Sequence, residues 1–127
     1  MPLARIDLSN GKSPAQRKAA GEVVYRAMVE ILKAPENDKF QVIAEHERSN
    51  FNIAESYLGI THGQDIAIIQ ITLNEGRSIE QKKAFYQRVA DNLHAELGVR
   101  REDVIINLVE VAKENWSFGN GLAPYAG

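Results

Sequence analysis

The chain has 127 residues, of which 44% are hydrophobic and 25% charged, and its formal net charge is −2. These values are typical of a soluble globular protein, so we expect a single domain over residues 1–127. The absence of cysteine excludes disulfides and cysteine-ligated zinc. No basic block, signal peptide or long apolar run points to nucleic acid, export or a membrane, which favours a cytoplasmic protein.

The first part of the chain predicts a strand, a helix and a second strand. The apolar run LARIDL is typical of a strand. Ser13 and Gln16 have the spacing of a capping box, and Pro14 suits the first helical position, so a helix should begin here. Pro35 should end it. FQVIAEH then predicts a strand parallel to the first, because a helix joins the two. The apolar stripe of the helix comprises Ala20, Val23, Val24, Ala27 and Ile31.

The second part of the chain repeats this pattern. IAIIQITL and VIINLVEV predict two further strands, and Ser78 with Gln81 forms a second capping-box pattern. Gly98 should end the second helix. A short strand or hairpin is expected around residues 51–57, between the two parts. The stripe of the second helix comprises Phe85, Val89, Leu93 and Leu97.

The two parts are copies of one unit. They align without a gap at a fixed offset of 65 residues (Ile6 on Ile71), giving pseudo-repeats 2–45 and 67–110. We predict an α+β fold, a tandem βαβ repeat with a four-stranded sheet and two helices on one face. The bare face needs a cover, which favours an oligomer, and an aromatic and glycine-rich tail occupies residues 112–127. Identical pairs include Leu8/Leu73, Gly11/Gly76, Ser13/Ser78, Gln16/Gln81, Lys18/Lys83, Val24/Val89, Asp38/Asp103 and Glu45/Glu110.

The repeat, together with five segments, resembles the tautomerase superfamily, and within it the malonate semialdehyde decarboxylases. The segments are MPLARIDL, PENDKFQ, EGRSIEQKKAFY, DVIINLVE and WSFGNG. The resemblance implies a two-layer fold, a homotrimer, a pocket for a small anionic oxo acid, and no metal or organic cofactor. It also implies that Pro2 is the catalytic group once Met1 has been removed.

The chemistry of Pro2 depends on the charge of its nitrogen, because an α-amino group has a pKa of about 7.7–8.0. Burial would favour a neutral amine that acts as a general base, whereas a nearby carboxylate would favour a cation that polarises a carbonyl. The alternative is a proline that merely starts an edge strand.

Four further residues complete the predicted site. Arg77 precedes the second helix, where a guanidinium beside free helix N–H groups suits a substrate carboxylate. The alternative is a solvated arginine, since Lys12 stands at the equivalent position of the first repeat. By resemblance, Asp38 acts beside Pro2, although Asp103 at the same repeat position argues for a structural role. Trp116 and Phe118 would, again by resemblance, form the apolar wall, or else are ordinary packing aromatics.

The resemblance leads us to expect decarboxylation of a small 3-oxo acid. Glu75 stands where one branch of the family has a further arginine, which leaves the substrate open. One alternative is a keto–enol tautomerase of 2-oxo acids, of the phenylpyruvate or oxalocrotonate type. Another is a non-catalytic homologue that retains Met1. The three histidines show no metal-ligand spacing, so no metal site is predicted.

Overall fold

The computed structural model describes residues 2–125. In chain order the elements are β1 (Leu3–Ser9), α1 (Pro14–Glu30), β2 (Gln41–His46), β3 (Ser56–Tyr57), β4 (Ile60–Thr61), β5 (Ala67–Asn74), α2 (Ile79–Leu97) and β6 (Val104–Val111). The main sheet has four strands in the order β2-β1-β5-β6, and a separate two-stranded hairpin is formed by β3 and β4.

The sheet confirms the predicted tandem βαβ repeat. Strands β1 and β2 are parallel, as are β5 and β6, and each pair is joined by a helix. The two units meet where β1 runs antiparallel to β5, with Ile6 opposite Ile69. Two copies of one unit joined in this way give the sheet an approximate internal two-fold symmetry.

The core lies between one face of the sheet and the two helices. Alternate residues of the central strands β1 and β5 are buried there, as the period of two in a strand requires. The opposite face carries no helix, and Val42 (43% exposed) and Val109 (37% exposed) lie on it in the outer strands. The largest buried side chains are Phe85, Ile6, Leu8, Met28, Leu32, Ile69, Ile71, Leu73 and Leu93.

Both helices begin as predicted. Ser13 and Ser78 are N-caps with complete capping boxes, and Pro14 is the first residue of α1. Gly98 ends α2 in the left-handed conformation, with φ of 74°.

The prediction that Pro35 ends the first helix was wrong. Helix α1 ends at Glu30, because Lys33 adopts a φ of 58° and the Ala34 N–H donates to the Met28 carbonyl at 3.0 Å. The predicted hairpin exists, but it is centred a few residues later, at Ser56–Thr61. Within the described residues, no helix is both long and apolar enough to cross a bilayer.

Candidate active site

The strand directions bring all five predicted site residues to one end of the sheet. This end, called the Pro2 end below, contains the first residues of β1 and β2 and the last residues of β5 and β6. The strand register places them together, because Ala4 pairs with Gln41, Leu3 with Thr72 and Asn74 with Val111. The residues at this end are Pro2, Asp38, Arg77, Trp116 and Phe118, each in a segment that enters or leaves a strand.

Pro2 is buried directly before β1. Continuing the register of Leu3 with Thr72 by one residue sets Pro2 opposite Leu73 in β5. The Ala4 N–H donates to the Phe40 carbonyl at 2.9 Å, which ties the start of β1 to the segment that contains Asp38. The proline ring therefore lies in the interior of this end, while Met1 lies outside the described residues.

Arg77 is half-buried, and backbone carbonyls hold its guanidinium. Its Nε donates to the Leu32 carbonyl at 2.9 Å, and one terminal nitrogen donates to the Asn74 carbonyl at 3.0 Å. Leu32 follows the C-terminus of α1, where exposed carbonyls favour a cation. Within residues 2–125, no carboxylate lies within 4.0 Å of this guanidinium. Two of its five N–H groups are thus used, and its charge helps to lower the pKa of Glu110, with which it forms no ion pair within 4.0 Å.

The side chain of Arg77 turns toward the end of α1. At the start of α2, the Ser78 hydroxyl accepts from the Gln81 N–H at 3.1 Å, so the cap occupies one of the helix N–H groups there. Gln81 also donates to the Ile31 carbonyl at 3.2 Å, so two side chains at the start of α2 satisfy carbonyls at the end of α1.

The aromatic side chains form a row at the Pro2 end. The rings of Trp116 and Phe118 stack with centroids 5.2 Å apart and planes inclined by 15°. Phe118 also lies 5.4 Å from Phe40 and 6.3 Å from Tyr125, measured between centroids. The indole N–H of Trp116 donates to the side-chain oxygen of Asn74 at 2.7 Å, which fixes the row against β5.

The two repeat-related aspartates differ in their surroundings. Asp103 is buried, with 1% of its surface exposed, and its carboxylate accepts from the Gly63 N–H at 2.6 Å. Arg100 lies 3.8 Å from the same carboxylate. Asp38 is half-buried in the turn before β2, where its N–H donates to the Pro35 carbonyl at 3.3 Å. Asp103 is therefore a structural residue, whereas Asp38 lies at the same end as Pro2.

The opposite end of the sheet contains the repeat-related counterpart of this arrangement. Lys12, equivalent to Arg77, donates to the Ser9 carbonyl at 3.3 Å, just as Arg77 donates to the equivalent Asn74 carbonyl. Here, however, an Asp65 carboxylate oxygen lies 2.5 Å from the Lys12 ammonium. A cleft of about 960 Å³ lies beside this pair. Ala67 occupies the place of Pro2, so this end has no ring nitrogen.

The histidines do not form a metal centre. His46 and His62 line the cleft beside Lys12, and His46 Nε2 lies 2.6 Å from an Asp7 carboxylate oxygen. In the part of the chain that the structure describes, no three histidine or carboxylate side chains are close enough together to hold a metal ion.

Sequence reasoning missed two residues of the site, Asn74 and Phe40. Asn74 is the last residue of β5 and contacts both Arg77 and Trp116. The available signal was weak: a single amide at the end of an otherwise apolar strand, three residues before the arginine.

The architecture is thus that of a tandem βαβ protein with a buried proline and a half-buried arginine, free of ion pairs within residues 2–125, at one end of its sheet. Two family models, both described as tautomerase enzyme, match residues 38–119 and 2–60. The chain belongs to the tautomerase family, as its sequence motifs predicted.

Individual relatives show which members of the family the chain is similar to. The chain is 41% identical to the probable tautomerase YusQ of Bacillus subtilis (strain 168), over 97% of each chain. Its fold matches a malonate semialdehyde decarboxylase inhibited by 3-bromopropiolate with a TM-score of 0.88 and 36% identity, over 97% of this chain and 93% of that one. A second malonate semialdehyde decarboxylase, with decarboxylase and hydratase activities, matches with a TM-score of 0.86 and 31% identity, over 95% and 93%.

Proposed function

We propose that this protein is a cytoplasmic, cofactor-free decarboxylase of small 3-oxo acids such as malonate semialdehyde, with Pro2 as its catalytic group. One observation carries the proposal: a buried Pro2 and a half-buried Arg77 without a carboxylate partner among residues 2–125 lie at the same end of the sheet. The similarity to two malonate semialdehyde decarboxylases supports the choice of reaction.

The internal repeat supports an anion at Arg77. At the opposite end, Asp65 neutralises the equivalent Lys12, and Asp65 stands two residues before Ala67, the counterpart of Pro2. At the Pro2 end, a substrate carboxylate beside the proline nitrogen would take the place that Asp65 takes in the other half.

The proposed reaction needs a cationic proline. Asp38, at the same end, would favour the protonated amine. Arg77 would hold the substrate carboxylate while the proline N–H donates a hydrogen bond to the 3-carbonyl oxygen. The bond between the carboxylate carbon and C2 then breaks. Its electron pair forms the enolate as carbon dioxide leaves, and a proton added at C2 gives the aldehyde.

The row of Trp116 and Phe118 would keep water from this reaction. Stacked aromatic rings exclude solvent, and in a drier site the attraction between Arg77 and a carboxylate is stronger. Both side chains are half-buried in the isolated chain.

The runner-up is keto–enol tautomerisation of a 2-oxo acid of the phenylpyruvate or oxalocrotonate type, favoured by the relationship to a probable tautomerase. Here neutral Pro2 would take the enol proton and return it to carbon. A pH–rate profile separates the two mechanisms: the decarboxylase should lose activity as pH rises and the amine deprotonates. Activity on an enol that instead rises above an apparent pKa below 7 would identify the neutral base.

We further propose a homotrimer in which the helix-free sheet face is covered. Val42 and Val109 lie half-exposed on that face, and a second layer would remove them from water. Analytical ultracentrifugation tests this: a sedimenting species of three chains supports it, and a monomer at micromolar concentration contradicts it.

A Pro2→Ala exchange tests the proposed chemistry, with carbon dioxide release and enol ketonisation assayed side by side. We expect the exchange to abolish the active reaction, because alanine supplies a primary amine with altered geometry and basicity. Unchanged rates in both assays would remove Pro2 from the mechanism. A wild-type protein that retains Met1 and is inactive in both assays would be a non-catalytic homologue.

A further inference from the structure

Asn74 connects the two parts of the Pro2 end that would contact a substrate. Its backbone carbonyl accepts from Arg77 at 3.0 Å, and its side-chain oxygen accepts from the Trp116 indole at 2.7 Å. It follows Leu73, the residue opposite Pro2. The backbone of Asn74 therefore contacts the guanidinium, and its side chain contacts the aromatic row, at the Pro2 end of the sheet.

The contact with Trp116 fixes the orientation of the Asn74 amide. An indole N–H can only donate, so the amide atom that faces it must be the oxygen. The NH₂ group consequently points away from Trp116. It donates to no acceptor among residues 2–125, although Asn74 is only half-exposed. Residues 2–125 thus leave two oriented N–H donors unused at the Pro2 end of the sheet.

The repeat shows what this position does when it is purely structural. Ser9 is the counterpart of Asn74, and its hydroxyl both donates to the Gln64 carbonyl at 3.1 Å and accepts from the Ile66 N–H at 2.9 Å. Both hydrogen bonds hold the segment that precedes β5. The equivalent side chain at the Pro2 end donates to none of the residues that the structure describes, which points to a ligand.

We propose that Asn74 is a substrate-binding residue whose NH₂ group donates to an oxygen of the substrate carboxylate held by Arg77. This inference rests on the proposed function, because it assumes an oxo-acid anion at Arg77. Asn74 and Arg77 would then each donate to one oxygen of the carboxylate, which would fix the plane of the carboxylate relative to Pro2. Trp116 would then have a second role, that of orienting the amide.

The experiment measures binding of pyruvate, a stable 2-oxo acid probe, by calorimetry in four variants. Asn74→Leu removes the donor and the acceptor without adding charge, whereas Trp116→Phe removes the indole N–H that orients the amide and keeps a smaller aromatic ring in the row. Pro2→Ala removes the proposed catalytic ring, and Asn10→Asp serves as a control that adds charge at the opposite, exposed end. Turnover of malonate semialdehyde is measured in parallel.

We expect Asn74→Leu to weaken pyruvate binding about 10-fold to 100-fold, as loss of a hydrogen bond to a charged group would. Trp116→Phe should weaken it less than about 5-fold, because the amide keeps its donors. Equal losses of pyruvate affinity in the two variants would mean that Asn74 only supports the tryptophan, and would overturn the inference. Wild-type protein that does not bind pyruvate would also overturn it. Asn10→Asp should bind like the wild type.

Two further readouts keep the test decisive. If Asn74→Leu fails to fold, Asn74→Ala replaces it, because it also removes both amide donors without adding charge. The fluorescence of Trp116, the only tryptophan, reports whether the aromatic row is kept, while binding should be lost. Unchanged pyruvate affinity in Asn74→Ala would overturn the inference. A Pro2→Ala variant that keeps full turnover would refute the proposed function while leaving the Asn74 result intact.

Discussion

Exchange of Arg77 for glutamine separates its structural role from its role in binding. The side chain holds two backbone carbonyls, those of Leu32 and Asn74, at 2.9 and 3.0 Å. Glutamine is too short to donate to both carbonyls. We expect the free energy of unfolding to fall by about 1–3 kcal/mol, a moderate loss because water partly replaces the missing hydrogen bonds. The loss of a charge-assisted contact with the substrate carboxylate should add about 2–4 kcal/mol to the activation barrier, or about 30-fold to 1000-fold in kcat/KM.

The repeat supplies a matched control for this exchange. Lys12→Gln removes the equivalent contact with the Ser9 carbonyl and the ion pair with Asp65, at the end of the sheet that has no proline. Urea unfolding followed by Trp116 fluorescence, at one fixed protein concentration, gives both stabilities. We expect similar destabilisation in the two variants and a loss of kcat/KM in Arg77→Gln alone. Equal losses of activity would refute a specific role for Arg77 in binding.

Three further predictions concern other residues of the fold. Asp103→Ala should lower the free energy of unfolding by about 2–3 kcal/mol in urea denaturation with little change in kcat/KM, because it removes a buried acceptor. Asp38→Ala, in contrast, should lower kcat/KM. Ser78→Ala should destabilise the protein by about 1 kcal/mol through loss of the cap of α2, which the shift of the urea midpoint measures. The pKa of Glu110 is lowered below 4.5, chiefly by a hydrogen bond from Lys82, so its stabilising effect is present above that value and lost as pH falls through the lowered pKa. Glu110→Gln should therefore flatten the decline of the urea midpoint between about pH 6 and pH 3, and a decline as steep as in the wild type would contradict this.

Most of the fold was predictable because the chain carries the same signals twice. The capping boxes at Ser13 and Ser78 and the apolar strand runs are local features, and the structure follows them. The end of α1 was mispredicted because it depends on the left-handed conformation of Lys33, a residue type that gives no warning of it. The buried Ala34 that follows then satisfies a helix carbonyl at Met28 before Pro35 is reached.

The candidate site was predictable only in part. Its five residues came from the motifs that resemble the family, and the strand directions gather them at one end of the sheet. Asn74 escaped notice because its partner Trp116 lies 42 residues away in sequence. Only the folded chain reveals that the indole turns the amide donors away from itself, and that Ser9, the repeat counterpart, uses its hydroxyl differently.

The central claim is that the mature protein exposes the secondary amine of Pro2 to its substrate. The intact mass of protein purified from its native host tests this most directly. We expect the mass of a chain that begins at Pro2, one methionine lighter than the translated sequence. A native protein whose mass still includes Met1 would have an amide at this nitrogen, and the proposed chemistry would be impossible.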